Sequence, residues 1–377
     1  MKHELAKQLM DEFAKSSGIT GKAAPRRYLW TDAFAVCNFL GIYRETVDAS
    51  YLKLALDLVD QVHHILGKHR TDDSREGWIS GLDDEQGERH PTCGGLRIGK
   101  KLNEGSADQP SDSRLQWDQD GQYFHYLTKW MHALSCVARE TNDVRYLRWA
   151  TELAITAHKS FTYQTSAGGP LRMVWKMSID LCRPQVDSMG HHDPLNGLVT
   201  SLELQTADGF LSHDNIDLGP MIADMARMCA NGRWATEDPL GIGGLLDDAV
   251  RLAQMVFERG LEYLDLLAQL LRETESSLRV FAHSPILYDS AERRLAFREL
   301  GLSIGLRGLE WIKKLVSHDD ELAAIVSQLM SYQTLSEQIE AFWLLPGHRE
   351  GRGWMDHRDI NTVMLGTSLA PEGYVTL

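Results

Sequence analysis

A chain of 377 residues, 43% hydrophobic and 24% charged, carries ample apolar material for a large core. Its net charge of −14 and pI near 5.5 argue against nucleic-acid partners and against an anionic membrane surface. Five widely spaced cysteines without a CxxC pair, no secretory signal and no apolar window of bilayer length point to a soluble, cytoplasmic protein with free thiols.

Helical periodicity dominates from the N-terminus on. The spacing predicts helices near 4–15, 31–44 and 49–67. In the last of these Leu52, Leu56, Val59, Val62 and Leu66 recur at three- and four-residue steps. Helices follow near 120–139 and 143–162, joined by the short turn Glu140-Thr141-Asn142-Asp143, as in a helical hairpin. Further helices are expected near 193–206, 219–230, 243–258, 261–274, 291–305, 307–317, 320–331, 334–345 and 357–368. Gly241-Ile242-Gly243-Gly244 has no preceding strand, so it reads as a loop before a helix. Strand signal is confined to short pieces such as Arg172-Met173-Val174-Trp175. Antiparallel helix pairs in series, without a fixed-length repeat, favour one closed domain over residues 1–377, an all-α (α/α)6 toroid.

Six of these helices, those at 31–44, 120–139, 193–206, 291–305, 334–345 and 357–368, begin with polar or ionisable groups. Their entries read WTDAF, DQDGQYFHY, HHDPLNG, ERRLAFRE, SEQIEAF and DHRDINT. In a toroid these N-termini gather partial positive charge and side chains at one mouth. Simple N-capping explains any one of them, such as Thr31 or Asp193, equally well. Two long irregular stretches, about 68–118 and 163–192, are placed to form loops at that mouth; for the first, a dimerisation arm is the alternative.

Glycoside cleavage needs a proton donor, an opposing carboxylate and aromatic rings that pack on a sugar's C–H face. The segment Trp117-Asp118-Gln119-Asp120-Gly121-Gln122-Tyr123-Phe124-His125-Tyr126 supplies most of these types. Trp117, Asp120, Gly121 and Tyr123 resemble the W-x-x-D-G-x-Y pattern of unsaturated glucuronyl and rhamnogalacturonyl hydrolases, members of the six-hairpin glycosidase superfamily. The resemblance implies an (α/α)6 glycosidase acting on an oligosaccharide with an acidic sugar, and gives Asp120 the role of general acid and base. Asp32, Asp193 and Asp359 are the candidates for a second carboxylate. Trp117, Tyr123, His125, Trp175, His192 and His357 are expected to line the sugar subsites, with Arg97 and Lys101 available for a uronate carboxylate.

Two other readings compete. N-acylglucosamine 2-epimerases have a similar hairpin ring and use histidine bases, a part open here to His125, His192 or His357. A non-catalytic helical scaffold for protein partners is the third. His191-His192-Asp193 and Asp356-His357-Arg358-Asp359 offer nitrogen and oxygen ligands, but there is no His-Glu-x-x-His motif, cysteine pair or calcium loop. Neither a metal nor a cofactor is expected.

Overall fold

The computed structural model describes residues 1–22, 24–105, 117–166, 168–207, 216–230 and 232–377. Part of each irregular stretch expected at 68–118 and 163–192 lies outside these residues. In chain order the helices are α1 (Lys2–Ser16), α2 (Leu29–Thr46), α3 (Ala49–Leu66), α4 (Asp84–Arg89), α5 (Phe124–Thr141), α6 (Val144–Phe161), α7 (Asp193–Thr206), α8 (Gly219–Cys229), α9 (Pro239–Arg259), α10 (Leu264–Phe281), α11 (Ala296–Leu315), α12 (Asp320–Met330), α13 (Gln333–Leu344), α14 (Arg352–Met355), α15 (Arg358–Leu369) and α16 (Glu372–Val375). Two short antiparallel ribbons accompany them. In one, β1 (Gln122–Tyr123) pairs with β4 (Lys176–Met177); in the other, β2 (Thr162–Gln164) pairs with β3 (Leu171–Met173).

Local chemistry sets the helix ends. Asn142 closes α5 in the left-handed conformation, and Asp143 then caps α6 by accepting from the Arg145 N–H at 3.0 Å. Asp319 caps α12 in the same way, and Gly260 ends α9 with a φ of 73°. The stretch Gly241–Gly244 is the first turn of α9, not a loop. Pro239 starts the helix at a position that needs no N–H, and Gly243 is used for packing. The two helices expected at 291–305 and 307–317 are one continuous α11, because its glycines face neighbouring helices and do not break it.

The chain divides into two compact units. One comprises Met1–Ser16, Gly41–Asp48 and Asn231–Leu377; the other comprises Ser17–Leu40 and Ala49–Ala230. Within the second, α5 packs on its hairpin partner α6 and on α7, and α7 packs on α8. Within the first, α9 packs on α10 and α11, α11 on α12, α13 and α15, and α1 on α15. Helices α9 and α11 approach glycine on glycine. A Cβ at Gly243 of α9 would lie 2.2 Å from the Gly301 carbonyl oxygen of α11, and one at Gly305 would lie 2.7 Å from the Gly243 carbonyl oxygen.

Burial separates two kinds of helix. Helices α2, α5, α7, α9, α11 and α15 are buried around most of their circumference; in α7 every residue from Asp193 to Leu204 is buried. The others, such as α3, α6 and α10, bury a single stripe. Five of the six helices with polar entries belong to the fully buried set. The exception is 334–345: α13 buries only Leu335, Ser336, Ile339, Glu340 and Trp343, and α9 takes its place.

Candidate functional site

The expected acid, Asp120, sits in a loop immediately before β1 and is fully buried. Its Oδ2 accepts from Arg97 Nη1 at 2.6 Å and from Arg70 Nη1 at 3.3 Å. Its Oδ1 accepts from the backbone N–H groups of Gly99, Lys100 and Gly121 at 3.0, 3.3 and 3.1 Å. Five donors fill the roughly four acceptor positions of a carboxylate, so no lone pair is left for a substrate. Asp120 ties the loop 97–102 to the start of β1. Gly121 is required beside it, because a Cβ there would meet the Met177 carbonyl oxygen at 2.6 Å. Gln122 completes the knot by accepting from Leu96 N–H and donating to the Gly94 and Ile179 carbonyls. Arg97, expected at a uronate, is consumed here.

The rest of the motif forms an aromatic wall. Tyr123 stacks on His125 with centroids 5.5 Å apart, and meets Tyr126 edge-on at 5.0 Å and Trp175 at 5.3 Å. Trp175 in turn lies 5.2 Å from Trp117, which is 57% exposed. From the start of α2, Trp30 packs on Tyr126 and His125, and just before it Tyr28 shares a 2.8 Å hydroxyl–hydroxyl hydrogen bond with Tyr126. Two ammonium groups hang over the same wall. Lys100 Nζ is 5.2 Å from the Tyr123 ring centre and Lys176 Nζ is 5.4 Å from it. Burial, with the repulsion of Lys100, brings the Lys176 ammonium down to about 8 against the pull of Asp120 and Glu104. Burial also lowers Lys100 and raises the phenol of Tyr123.

The first turns of α5 and α7 meet at His125 and Asp193. His125 Nδ1 lies 3.5 Å from Asp193 Oδ1, with the imidazole partly exposed and the carboxylate nearly buried beneath it. Asp193 Oδ2, the Tyr123 hydroxyl and Trp30 Nε1 are buried polar atoms with no hydrogen-bond partner among the described residues. Groups of that kind are rare unless something else satisfies them. Gly190 permits the fold of this entry, since a Cβ there would run into the Asp193 carboxylate at 2.3 Å. His192, half-exposed at the N-cap of α7, packs at a tilt against His191.

Asp32 is buried in α2, accepts from the Tyr28 N–H at 2.8 Å and lies 3.6 Å from Arg27 Nη1. Lys101 is exposed beside the Asp120 knot. Asp359 and His357 belong to the other compact unit, where Asp359 accepts from Ser16 and the His357 ring lies edge-on to Phe297. Sequence reasoning missed Tyr28 and Trp30 as wall residues. The only signal was the aromatic pair in Tyr28-Leu29-Trp30, just ahead of Asp32.

No protein-family model matches the sequence, and no curated protein matches it. Solved structures do. A family 76 α-mannanase from Bacteroides thetaiotaomicron superposes with a TM-score of 0.55 at 8% identity, over 99% of this chain and 96% of that one. A family 76 glycoside hydrolase from a bovine Bacteroides thetaiotaomicron strain gives 0.53 at 13% identity, over 99% of this chain and 77% of the other. An inactive α-1,6-mannanase from Salegentibacter sp. HEL1_6, with two consecutive aspartates replaced and α-1,6-mannotriose bound, gives 0.50 at 12% identity, over 98% and 100%. The chain has the all-α (α/α)6 toroid fold of the six-hairpin glycosidases. At these identities the likeness is one of fold.

Proposed function

We propose that the protein is a glycoside hydrolase acting on an oligosaccharide, with Asp193 and His125 at its centre. The observation that carries the reading is the pair itself. It lies at the N-termini of two buried helices of a glycosidase fold and is walled by Tyr123, Tyr126, Trp30 and Trp175. Asp193 Oδ2 is the atom proposed to donate a proton to the leaving oxygen, while His125 holds Oδ1. Asp118, an exposed carboxylate whose field reaches Lys100 and Tyr123, is proposed to activate the water. Asp120 serves as a positioning residue that fixes Lys100 and Tyr123 from behind. Lys100, half-buried over the Tyr123 ring, favours a sugar carrying a carboxylate, whereas two of the family 76 neighbours are α-mannanases. The test is hydrolysis of uronate-terminated oligosaccharides set against α-1,6-mannooligosaccharides, in wild type and Asp193→Asn. Cleavage of either panel that Asp193→Asn abolishes supports the reading; no cleavage of either, or full activity of the variant, overturns it.

A second reading rests on the same pair. A histidine beside a carboxylate is also a competent base for removing a proton beside a sugar carbonyl. It is distinguished by solvent deuterium entering an unbroken monosaccharide, which hydrolysis does not produce.

A further inference from the structure

Two helical turns below the aromatic wall, on the same helices, lies a second cluster that the glycosidic reading does not use. Trp30 and Cys37 are seven residues apart on α2, as are His125 and His132 on α5, so each pair shares a helix face. Cys136 follows His132 at the i+4 position. Cys37 Sγ, a ring nitrogen of His132 and Cys136 Sγ lie within 4.8 Å of one another, and all three residues are buried. Cys136 Sγ and His132 Nε2 are 3.7 Å apart.

We infer that Cys37, His132 and Cys136 form a binding site for a single thiophilic d10 metal ion, Zn2+ or Cu+, which cross-ties α2 and α5 beneath the candidate active site. The donor set is the first support. Two thiolates and one imidazole form the soft ligand set that selects these ions over Mg2+ or Ca2+. Spacing is the second. With metal–sulfur and metal–nitrogen bonds of about 2.3 and 2.0–2.1 Å, the sulfur–nitrogen edge of a tetrahedral site is about 3.6 Å. The observed 3.7 Å edge is already at that length. The third is the support behind the ligand. His132 Nδ1 lies 2.9 and 3.0 Å from the two carboxylate oxygens of Glu203 on α7. That contact fixes the tautomer that turns Nε2 toward the sulfurs, the usual arrangement behind a metal-bound histidine. Charge is the fourth. Two thiolates and the Glu203 carboxylate are balanced by a divalent ion and by Arg139, whose Nη2 lies 3.6 Å from Cys136 Sγ; with Cu+ the site keeps one negative charge.

The two arms of the test separate the ions. The full chain is produced under reducing conditions in zinc- and in copper-supplemented medium, and its metal content is measured. We expect one ion per chain in one arm, falling to roughly a tenth or less in Cys37→Ser and Cys136→Ser but unchanged in Cys182→Ser, because losing a thiolate removes most of a structural site's affinity. Cys182 is the right control, since it is exposed and belongs to no such cluster among the described residues. Should either variant fail to fold, wild type alone decides the matter. Refolded with Co2+, it must show a thiolate-to-cobalt charge-transfer band together with tetrahedral d–d bands. Metal-free wild type in both arms with no cobalt spectrum, metal content indifferent to the two substitutions, or a Cys37–Cys136 disulfide found by mass in place of bound metal would each overturn the assignment.

Discussion

At the scale of single residues, partners rather than residue type separate the site's carboxylates. Asp120 is surrounded by two guanidiniums and three N–H groups, whereas Asp193 faces one imidazole and keeps an unpartnered oxygen. Asp193→Asn is therefore expected to lower kcat by about 10²–10⁴-fold, the usual worth of a positioned proton donor, with its thermal midpoint nearly unchanged. Asp120→Asn should instead lower the melting temperature and the activity together, since it leaves Arg97 buried without its partner. Paired calorimetry and kinetics distinguish the two patterns. Lys176 makes a pH prediction. Its ammonium titrates near 8 in the folded protein and near 10.4 unfolded. Between those values the unfolded chain binds more protons, so stability rises with pH across the window. Thermal midpoints measured between about pH 8 and 10 should show that rise, and a flat profile would contradict it.

At the scale of elements, small residues and clips decide the packing. The Gly243–Gly301 contact leaves no room for a methyl group, so Gly243→Ala should destabilise the protein by about 1–3 kcal/mol in urea unfolding, the typical cost of overpacking. The periodicity announced helices at 291–305 and 307–317, but not that they form one helix, nor the partner whose glycine meets theirs. The long loop after α3 is held differently. Arg75 bridges Asp73, Glu104 and Asp180, drawing three irregular segments together, and holds the Asp73 carboxyl well below the usual range. Arg75→Ala should leave the helices intact, as seen by far-UV circular dichroism, but make residues 68–105 cleave faster under limited proteolysis. A cleavage rate equal to wild type would show that the clip does not order the loop.

At the scale of the whole molecule, buried ion clusters anchor each compact unit. In the unit that contains α11, Glu340 accepts from Arg307 at 2.9 and 2.7 Å, from Lys2 at 2.7 Å and from Ser368 at 2.9 Å. Burial alone would raise its carboxyl; Arg307 and Lys2 outweigh that and hold it below the usual range. Its contribution is therefore complete above the ordinary carboxylate pKa and is lost as pH falls through the depressed one. Glu340→Gln should cost about 3 kcal/mol at neutral pH, the lower end of the range for breaking a buried pair because Arg307 is partly exposed. The difference from wild type should shrink in acid, which denaturant titrations at several pH values measure.

The sequence by itself determined the helical class, the serial hairpins and most helix limits, because caps, three- and four-residue periodicity and turn residues act over a few positions. It also marked Trp117–Tyr126 as the richest segment for sugar chemistry, and Tyr123 and His125 do stand together with Trp175. Only the tertiary structure decided what each charge does. Arg70 and Arg97 reach Asp120 from 50 and 23 residues away, and His125 finds Asp193 across 68. Ionisation and reactivity depend on such long-range neighbours, which no local pattern encodes. The same limit hid Cys37, His132 and Cys136. Nothing in their spacing along the chain signals a site until two buried helices are packed side by side.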